Sequence, residues 1–283
     1  MFGYDATAMK GSIWEVIVKN TSSETQGWLQ KMGCTQNGAA NFNTAFILAP
    51  RKAGKIIIQL SEAEKEELSA IRTGFSVDGW AIDRLCRAWL LLQLDTADKD
   101  KYFRTIENLF LSAEMNELVA LYSALPLLAY PEIWVKRCAE GIRSNIAGVL
   151  EAIMLHNPYP AENLEQAAWN QLVLKAFFTD KQVQLITGLD ARANKELAYT
   201  LADYAKERWA AGRKVNPMLW RLVGKFIDER IFNDILIGLT HDDATEKNAI
   251  ALAAKESTYQ PAKDLFKGDT GVLNWDSFIT INN

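Results

Sequence analysis

The sequence predicts an all-α protein, and three observations carry that expectation. Apolar residues recur at spacings of three and four through most of the 283 residues, the pattern that lines one face of a helix. Cap and stop signals punctuate these stretches at short intervals. Strand signals are few. KIIIQL at 55–60 is the best of them, and it reads equally as a loop leading into a helix that begins near Ser61.

The elements follow in order. Residues 1–60, rich in Gly, Asn and Ser, are expected to form a less regular helical cap. Ser76 is placed as the N-cap of a helix with Ile82, Leu85, Trp89 and Leu92 inward. Asp83 and Arg87, four apart, are assigned to its outer side. Tyr102, Ile106, Leu109 and Phe110 form the next stripe. Leu118, Val119, Tyr122 and Leu125 follow before Pro126, and Pro131 starts another helix.

Val135, Cys138, Ile142, Ile146, Val149 and Ile153 then give one continuous apolar face. Leu197, Leu201, Tyr204 and Trp209 define a later helix that Gly212 ends. Asn216-Pro217 is a cap and first turn for a helix from Met218. Asp243 with Glu246 fits a capping box for a helix through Lys255.

This amounts to roughly a dozen helices of average length, and short connections stack such helices as antiparallel pairs. An irregular α-solenoid of the HEAT or armadillo kind is favoured over a compact multi-helix bundle, which seldom needs so many helices. The helical core spans 61–258. The tail, 259–283, is expected to pack on it through Leu265, Phe266 and Trp275, making one structural domain overall.

Composition narrows function by exclusion. The net charge is −4 and the pI near 5.4, which argues against nucleic acid or an anionic membrane as the main partner. Cys34, Cys86 and Cys138 form no CxxC pair, so neither a disulfide framework nor a thiolate zinc site is expected. The first residues lack a basic segment followed by an apolar run. The most apolar stretches, Ala88–Leu94 and Leu121–Ala129, are much shorter than the ~20 residues of a membrane span. A cytoplasmic protein without a transmembrane segment is the expectation.

His156 and His241 are the only histidines, which excludes multi-histidine metal sites. HExxH, GxSxG and the P-loop are all missing. The string Asp242-Asp243-Ala244-Thr245-Glu246 matches DDxxE, which in an all-α protein can hold Mg²⁺ against a diphosphate. Its companion fails, because after Asn233-Asp234 the hydroxyl position is Ile237 and the acidic position is His241. Carboxylates in a first helical turn are explained by the macrodipole. No metal or cofactor is expected, and a non-enzymatic role is favoured.

The candidate site comes from polar residues on apolar faces. In Leu155–Phe178 (LHNPYPAENLEQAAWNQLVLKAFF), Leu164, Ala167, Gln171, Leu174 and Phe178 share one side of a helix, with Lys175 beside it. Trp169, Leu172, Val173, Ala176 and Phe177 cover the other side, so this helix is expected to be central. If the preceding helix runs to His156, Asn145 and His156 lie in its stripe and Arg143 flanks it. Arg208 falls within the stripe of Leu197, Leu201 and Tyr204. Buried charges need partners or ligands.

Two readings follow. In one, Arg143, Lys175 and Arg208 extend to solvent or pair with Glu151, Asp190 or Glu207, while His156 caps a helix end. In the other, Arg143, Asn145, His156, Asn170, Gln171, Lys175 and Arg208 converge on a pocket walled by Trp169 and Tyr159. That set would suit a small anionic or polyhydroxylated metabolite.

ELVALYSALPLL (117–128), EGIRSNIAGVLEAIMLHNPYP (140–160), AAWNQLVLKAFF (167–178), GLDARAN (188–194) and YAKERWAAGR (204–213) together resemble the EboA protein family. The resemblance is dense from Ser76 to Phe226. It implies a cytoplasmic bacterial or algal protein without an assigned biochemical activity. It also implies an operon shared with a UbiA-like prenyltransferase, a TatD-like hydrolase, a dehydroquinate-synthase-like cyclase and a TIM-barrel protein, linked to making or exporting a secondary metabolite. No catalytic residue carries over. The leading expectation is an accessory scaffold or small-molecule-binding protein whose partners are that metabolite and the operon's enzymes. The alternatives are a metal-independent enzyme on a cyclitol or prenylated intermediate, with His156 or Lys175 as acid or base, and a pure protein-interaction solenoid.

Overall fold

The computed structural model describes residues 1–34, 38–266 and 274–282. Among them are sixteen α-helices, short 3-10 segments and no strand, as an all-α fold requires. The pairings Ile57–Ala81 and Leu155–Ile186 are isolated bridges, so KIIIQL is an extended lead-in to a helix. The chain divides into two compact units, Met1–Glu165 with Leu185–Thr187, and Gln166–Gln184 with Gly188–Asn283.

The first unit begins with α1 (Ala6–Asn20), α2 (Ser23–Gly33), α3 (Gly38–Ala53) and α4 (Glu62–Ile71). Residues 1–60 are therefore largely regular helix. α5 (Ile82–Leu92) follows, then α6 (Lys99–Ser112), α7 (Met115–Ser123), α8 (Val135–Ile142), α9 (Ala147–Met154) and α10 (Tyr159–Asn163). Helices α1, α2, α3 and α7 all pack on α5, and ten of its eleven residues are buried.

That surround corrects the outward assignment of Asp83 and Arg87, which are both buried and sit in the core. Arg87 Nη1 pairs with Asp83 Oδ2 at 2.6 Å and its Nε donates to the Phe46 carbonyl at 2.9 Å. Burial at this depth is tolerated because each charge meets its opposite, with Arg87 Nη2 also 4.0 Å from Glu117 Oε1. Ser76 does not cap α5; its Oγ accepts from Asp78 N in the turn before it, and Ala81 takes the N-cap position.

The single apolar face from Val135 to Ile153 is two helices. Ser144 Oγ accepts from Ile146 N at 3.0 Å, a local side-chain bond that competes with helix continuation. The second helix stops at Met154, and His156 beyond it has a φ of 49°.

The second unit holds α11 (Gln166–Phe178), α12 (Lys195–Ala210), α13 (Leu219–Val223), α14 (Glu229–Gly238), α15 (Ala244–Glu256) and α16 (Gln260–Leu265), with a 3-10 segment at Trp275–Asn282. Here α12 is the hub, packed by α11, α13 and α14, and α15 lies on α13. The expectation that α11 is central is overturned. Trp169, Leu172, Val173, Ala176 and Phe177 are buried, but Gln171 is exposed and Phe178 is 66% exposed. The second apolar side of its wheel is made partly of alanine, which needs no partner, and of a phenylalanine at the last turn where the chain leaves the helix.

Candidate functional site

The polar clefts of the second unit lie where α12 ends and α15 begins. Gly212, at φ 64°, supplies the left-handed residue that closes α12, with Gly212 N donating to Trp209 O and Arg213 N to Arg208 O. Reversal there places Arg213 and Lys214 in solvent. Asn216 Oδ1 then accepts from Met218 N at 3.0 Å to start the short α13, as the Asn-Pro signal predicts. Asp243 caps α15, its Oδ1 accepting from Thr245 N and Glu246 N.

Two clefts result. One, of about 350 Å³, is lined by Asp180, Lys181, Gln182, Gln184, Arg208 and Asn216 among others. The other, of about 450 Å³, is lined by Trp209, Arg213, His241, Asp242 and Glu246 among others. Lys214 and Asp243 line both, so the two clefts adjoin. Each lies in the size range of small-molecule sites.

Arg208 is half-buried, and its Nε donates to Lys214 O at 2.8 Å. Its guanidinium carbon lies 5.9 Å from the centre of the Tyr204 ring. Among the described residues no carboxylate stands within ion-pair distance of Arg208 or Arg213. One edge of the Arg208 fork is thus pinned to backbone and the guanidinium also hydrogen-bonds the Tyr204 side chain, but no ion pair among the described residues neutralises its charge. Lys214 Nζ stands 4.0 Å from Asp243 Oδ2.

The second cleft has an aromatic wall. Trp220 is fully buried, Trp209 is 8% exposed and His241 is half-buried. Trp209 lies near-parallel to Trp220 at 6.0 Å and to His241 at 5.3 Å. Glu246 Oε1 accepts from Trp209 Nε1 at 3.1 Å and from Trp220 Nε1 at 3.3 Å. The carboxylate expected to complete a capping box is therefore turned inward to hold two indoles. Burial pushes its pKa above the usual carboxylate range, against the two indole donors and with help from nearby Asp243.

Of the seven candidate site residues, Arg208 alone lines these clefts. Asn170 is engaged with Asn194, each side-chain amide donating to the other at 3.3 and 2.8 Å. Asn194 in turn caps α12 through Leu197 N, so Asn170 orients a helix cap. Gln171 is exposed and Lys175 half-buried on α11. Arg143, Asn145 and His156 belong to the first unit and are exposed. Asn145 precedes and His156 follows the eight residues of α9, about 12 Å of helix, so they flank opposite ends of it. Partial desolvation of its ring lowers the basicity of His156 despite its exposed surface, with Asp78 acting in the opposite sense and Lys65 in the same.

Trp169 and Tyr159, expected as pocket walls, are completely buried. Asp190, a suggested partner for the cations, pairs with Arg221 instead, accepting from its Nε at 2.7 Å. Sequence reasoning missed Trp209, His241 and Glu246. Trp209 was visible only as an apolar-stripe residue, and Glu246 only as part of a cap and of the DDxxE string set aside as a magnesium motif. Among the described residues no group of three or more His, Cys, Asp or Glu is arranged to hold a metal ion, and no helix is long and apolar enough to cross a membrane.

Fold and site together define an all-helical protein with paired polar clefts of small-molecule size. The chain belongs to the EboA family: residues 9–224 match the family described as metabolite traffic protein EboA. No curated protein and no solved structure matches it. The match takes in α12, Arg208, Trp209 and the 211–217 loop, while His241 and Glu246 follow it.

Proposed function

We propose that the chain binds a small anionic or polyhydroxylated metabolite in the cleft beside Arg208 and passes it on unchanged. The observation that supports this most is the Arg208 guanidinium, held by backbone on one edge and making no ion pair among the described residues. A planar fork in that state is matched to a phosphate or carboxylate, which it can grip with two parallel hydrogen bonds. Gln182, Gln184, Asn216 and the carboxylates of Asp180 and Asp243 offer donors and acceptors for hydroxyl groups around it. Traffic of a metabolite, the role that names the family, needs binding and release and no bond cleavage.

In this reading the cargo is the secondary metabolite that the family resemblance points to. The operon-encoded enzymes are its donors and acceptors in the cytoplasm. The alternative of an enzyme using His156 or Lys175 draws no support from their positions, since neither lines the clefts.

Calorimetric titration with inositol monophosphate tests the proposal. The native chain is expected to bind it, and Arg208→Met to weaken binding by at least tenfold, about 1.4 kcal/mol. The ligand should be recovered unaltered by phosphorus NMR. Equal binding by Arg208→Met, or a changed ligand, would refute the reading.

A further inference from the structure

The two clefts share Lys214 and Asp243 but differ in chemistry. Beside Arg208 the surface is charged and amide-rich. Beyond Lys214 it is built on a stack of rings that runs from the fully buried Trp220 through Trp209 to the half-buried His241. His241 is thus the outermost ring of the stack, and it lines the cleft.

Glu246 makes the stack rigid. Both indole N–H groups end on its carboxylate, which fixes the rotation of Trp209 and Trp220 in their planes. A Cβ at Gly238 would come within 2.6 Å of the Trp209 ring, so α14 also closes on it. A preorganised ring platform of this kind offers flat, polarizable area at little entropic cost.

We infer that the ligand is bipartite: an anionic or polyhydroxylated head held beside Arg208, joined to a planar ring that stacks against His241 on the Trp209 platform. This rests on the reading of the Arg208 cleft as an anion site. Lys214 and Asp243, on the saddle between the clefts, would meet the linkage between head and ring. The predicted class is an aryl or heteroaryl phosphate or carboxylate, in contrast to a simple sugar phosphate.

Phenyl phosphate and inorganic phosphate, titrated separately into the full chain, test it. Phenyl phosphate is expected to bind roughly tenfold more tightly, the scale of one aromatic contact, and to change the tryptophan fluorescence. His241→Ala should lower phenyl phosphate to the affinity of inorganic phosphate and leave the latter unchanged. His241→Phe should restore the preference. If inorganic phosphate does not bind, the anion reading fails and the bipartite ligand fails with it. If inorganic phosphate binds but phenyl phosphate binds no better, or the advantage survives His241→Ala, only the bipartite ligand is overturned.

Discussion

On α5 of the first unit, Arg87 lies in the core with its guanidinium on Asp83 and the Phe46 carbonyl. At the end of α12 in the second unit, Arg208 lies beside a cleft with one nitrogen on a carbonyl and, among the described residues, no carboxylate within ion-pair distance, although Asp180 and Asp243 line the same cleft. A cavity of the first unit beside Cys34 and Tyr102 is about 100 Å³, against about 350 and 450 Å³ for the clefts of the second. The contrast separates two uses of a cation. One holds helices together and is consumed by its partners; the other is positioned and left available.

Removing the consumed cation should have the largest effect. Arg87→Met leaves the Asp83 carboxylate buried without its partner, which costs about 3–5 kcal/mol, read as a lower midpoint in chemical denaturation. Arg84, one turn earlier on the same helix, sharpens the comparison. Its guanidinium lies 3.9 Å over Trp80, its buried Nε has no hydrogen-bond partner, and burial lowers its pKa to about 9. Arg84→Met is therefore expected to leave the midpoint unchanged or raise it, within about 1 kcal/mol. A loss as large as that of Arg87→Met would erase the distinction between the ion-paired Arg87 and the half-buried Arg84 on that helix.

The second unit is probed next through its ring platform. At Gly238 an added Cβ meets Trp209 ring atoms at 2.6 and 2.7 Å, so Gly238→Ala should destabilise by about 1–3 kcal/mol through overpacking. It should also shift the tryptophan emission. An unshifted spectrum with native stability would show that the platform yields easily, contrary to its role as a fixed surface.

Glu246 gives a smaller, pH-dependent effect. Burial raises its pKa above the ordinary 4.5, so the folded state holds the proton more tightly than the unfolded chain. The stability this contributes is complete below pH 4.5 and is lost as pH rises through the folded value. Glu246→Gln cannot titrate. The stability of the native chain relative to the variant is therefore expected to fall with pH just above 4.5, by at most about 1.4 kcal/mol per pH unit. Urea denaturation across pH 4–8 measures it, and a difference rising with pH would place the carboxylate in an ion-stabilising site. Glu64, Glu132, Asp203 and Asp228 shift the opposite way, but they are common to both chains and cancel.

These contrasts also show what a single chain of letters can disclose. Helices, their order and several of their ends follow from local rules: Gly212 stops α12, Asn216 starts the turn into α13 and Asp243 caps α15. Local rules cannot report how many neighbours surround a helix. Asp83 and Arg87 have the spacing of a surface pair, and only the packing of four helices on α5 puts them inside. Ser144 broke a continuous apolar face because its hydroxyl bonds the backbone two residues on. At the site, Arg208 stood out as a cation in an apolar stripe. Trp209, His241 and Glu246 come from α12, the segment before α15 and α15 itself, and their meeting is a tertiary fact.

The smallest effect is expected at Arg143, where the sequence pattern and the structure differ most plainly in consequence. It follows α8, is exposed, and forms no ion pair among the described residues. Arg143→Ala removes a solvated charge, so stability should stay within about 0.5 kcal/mol. Inositol monophosphate should bind as it does to the native chain, because the clefts that hold Arg208 are built wholly from residues of the second unit. Loss of binding in Arg143→Ala with Arg208→Met unaffected would move the site to the first unit. It would also show that an exposed cation beside a helix end, and not one fixed by backbone at a cleft, is the group this protein uses to hold its ligand.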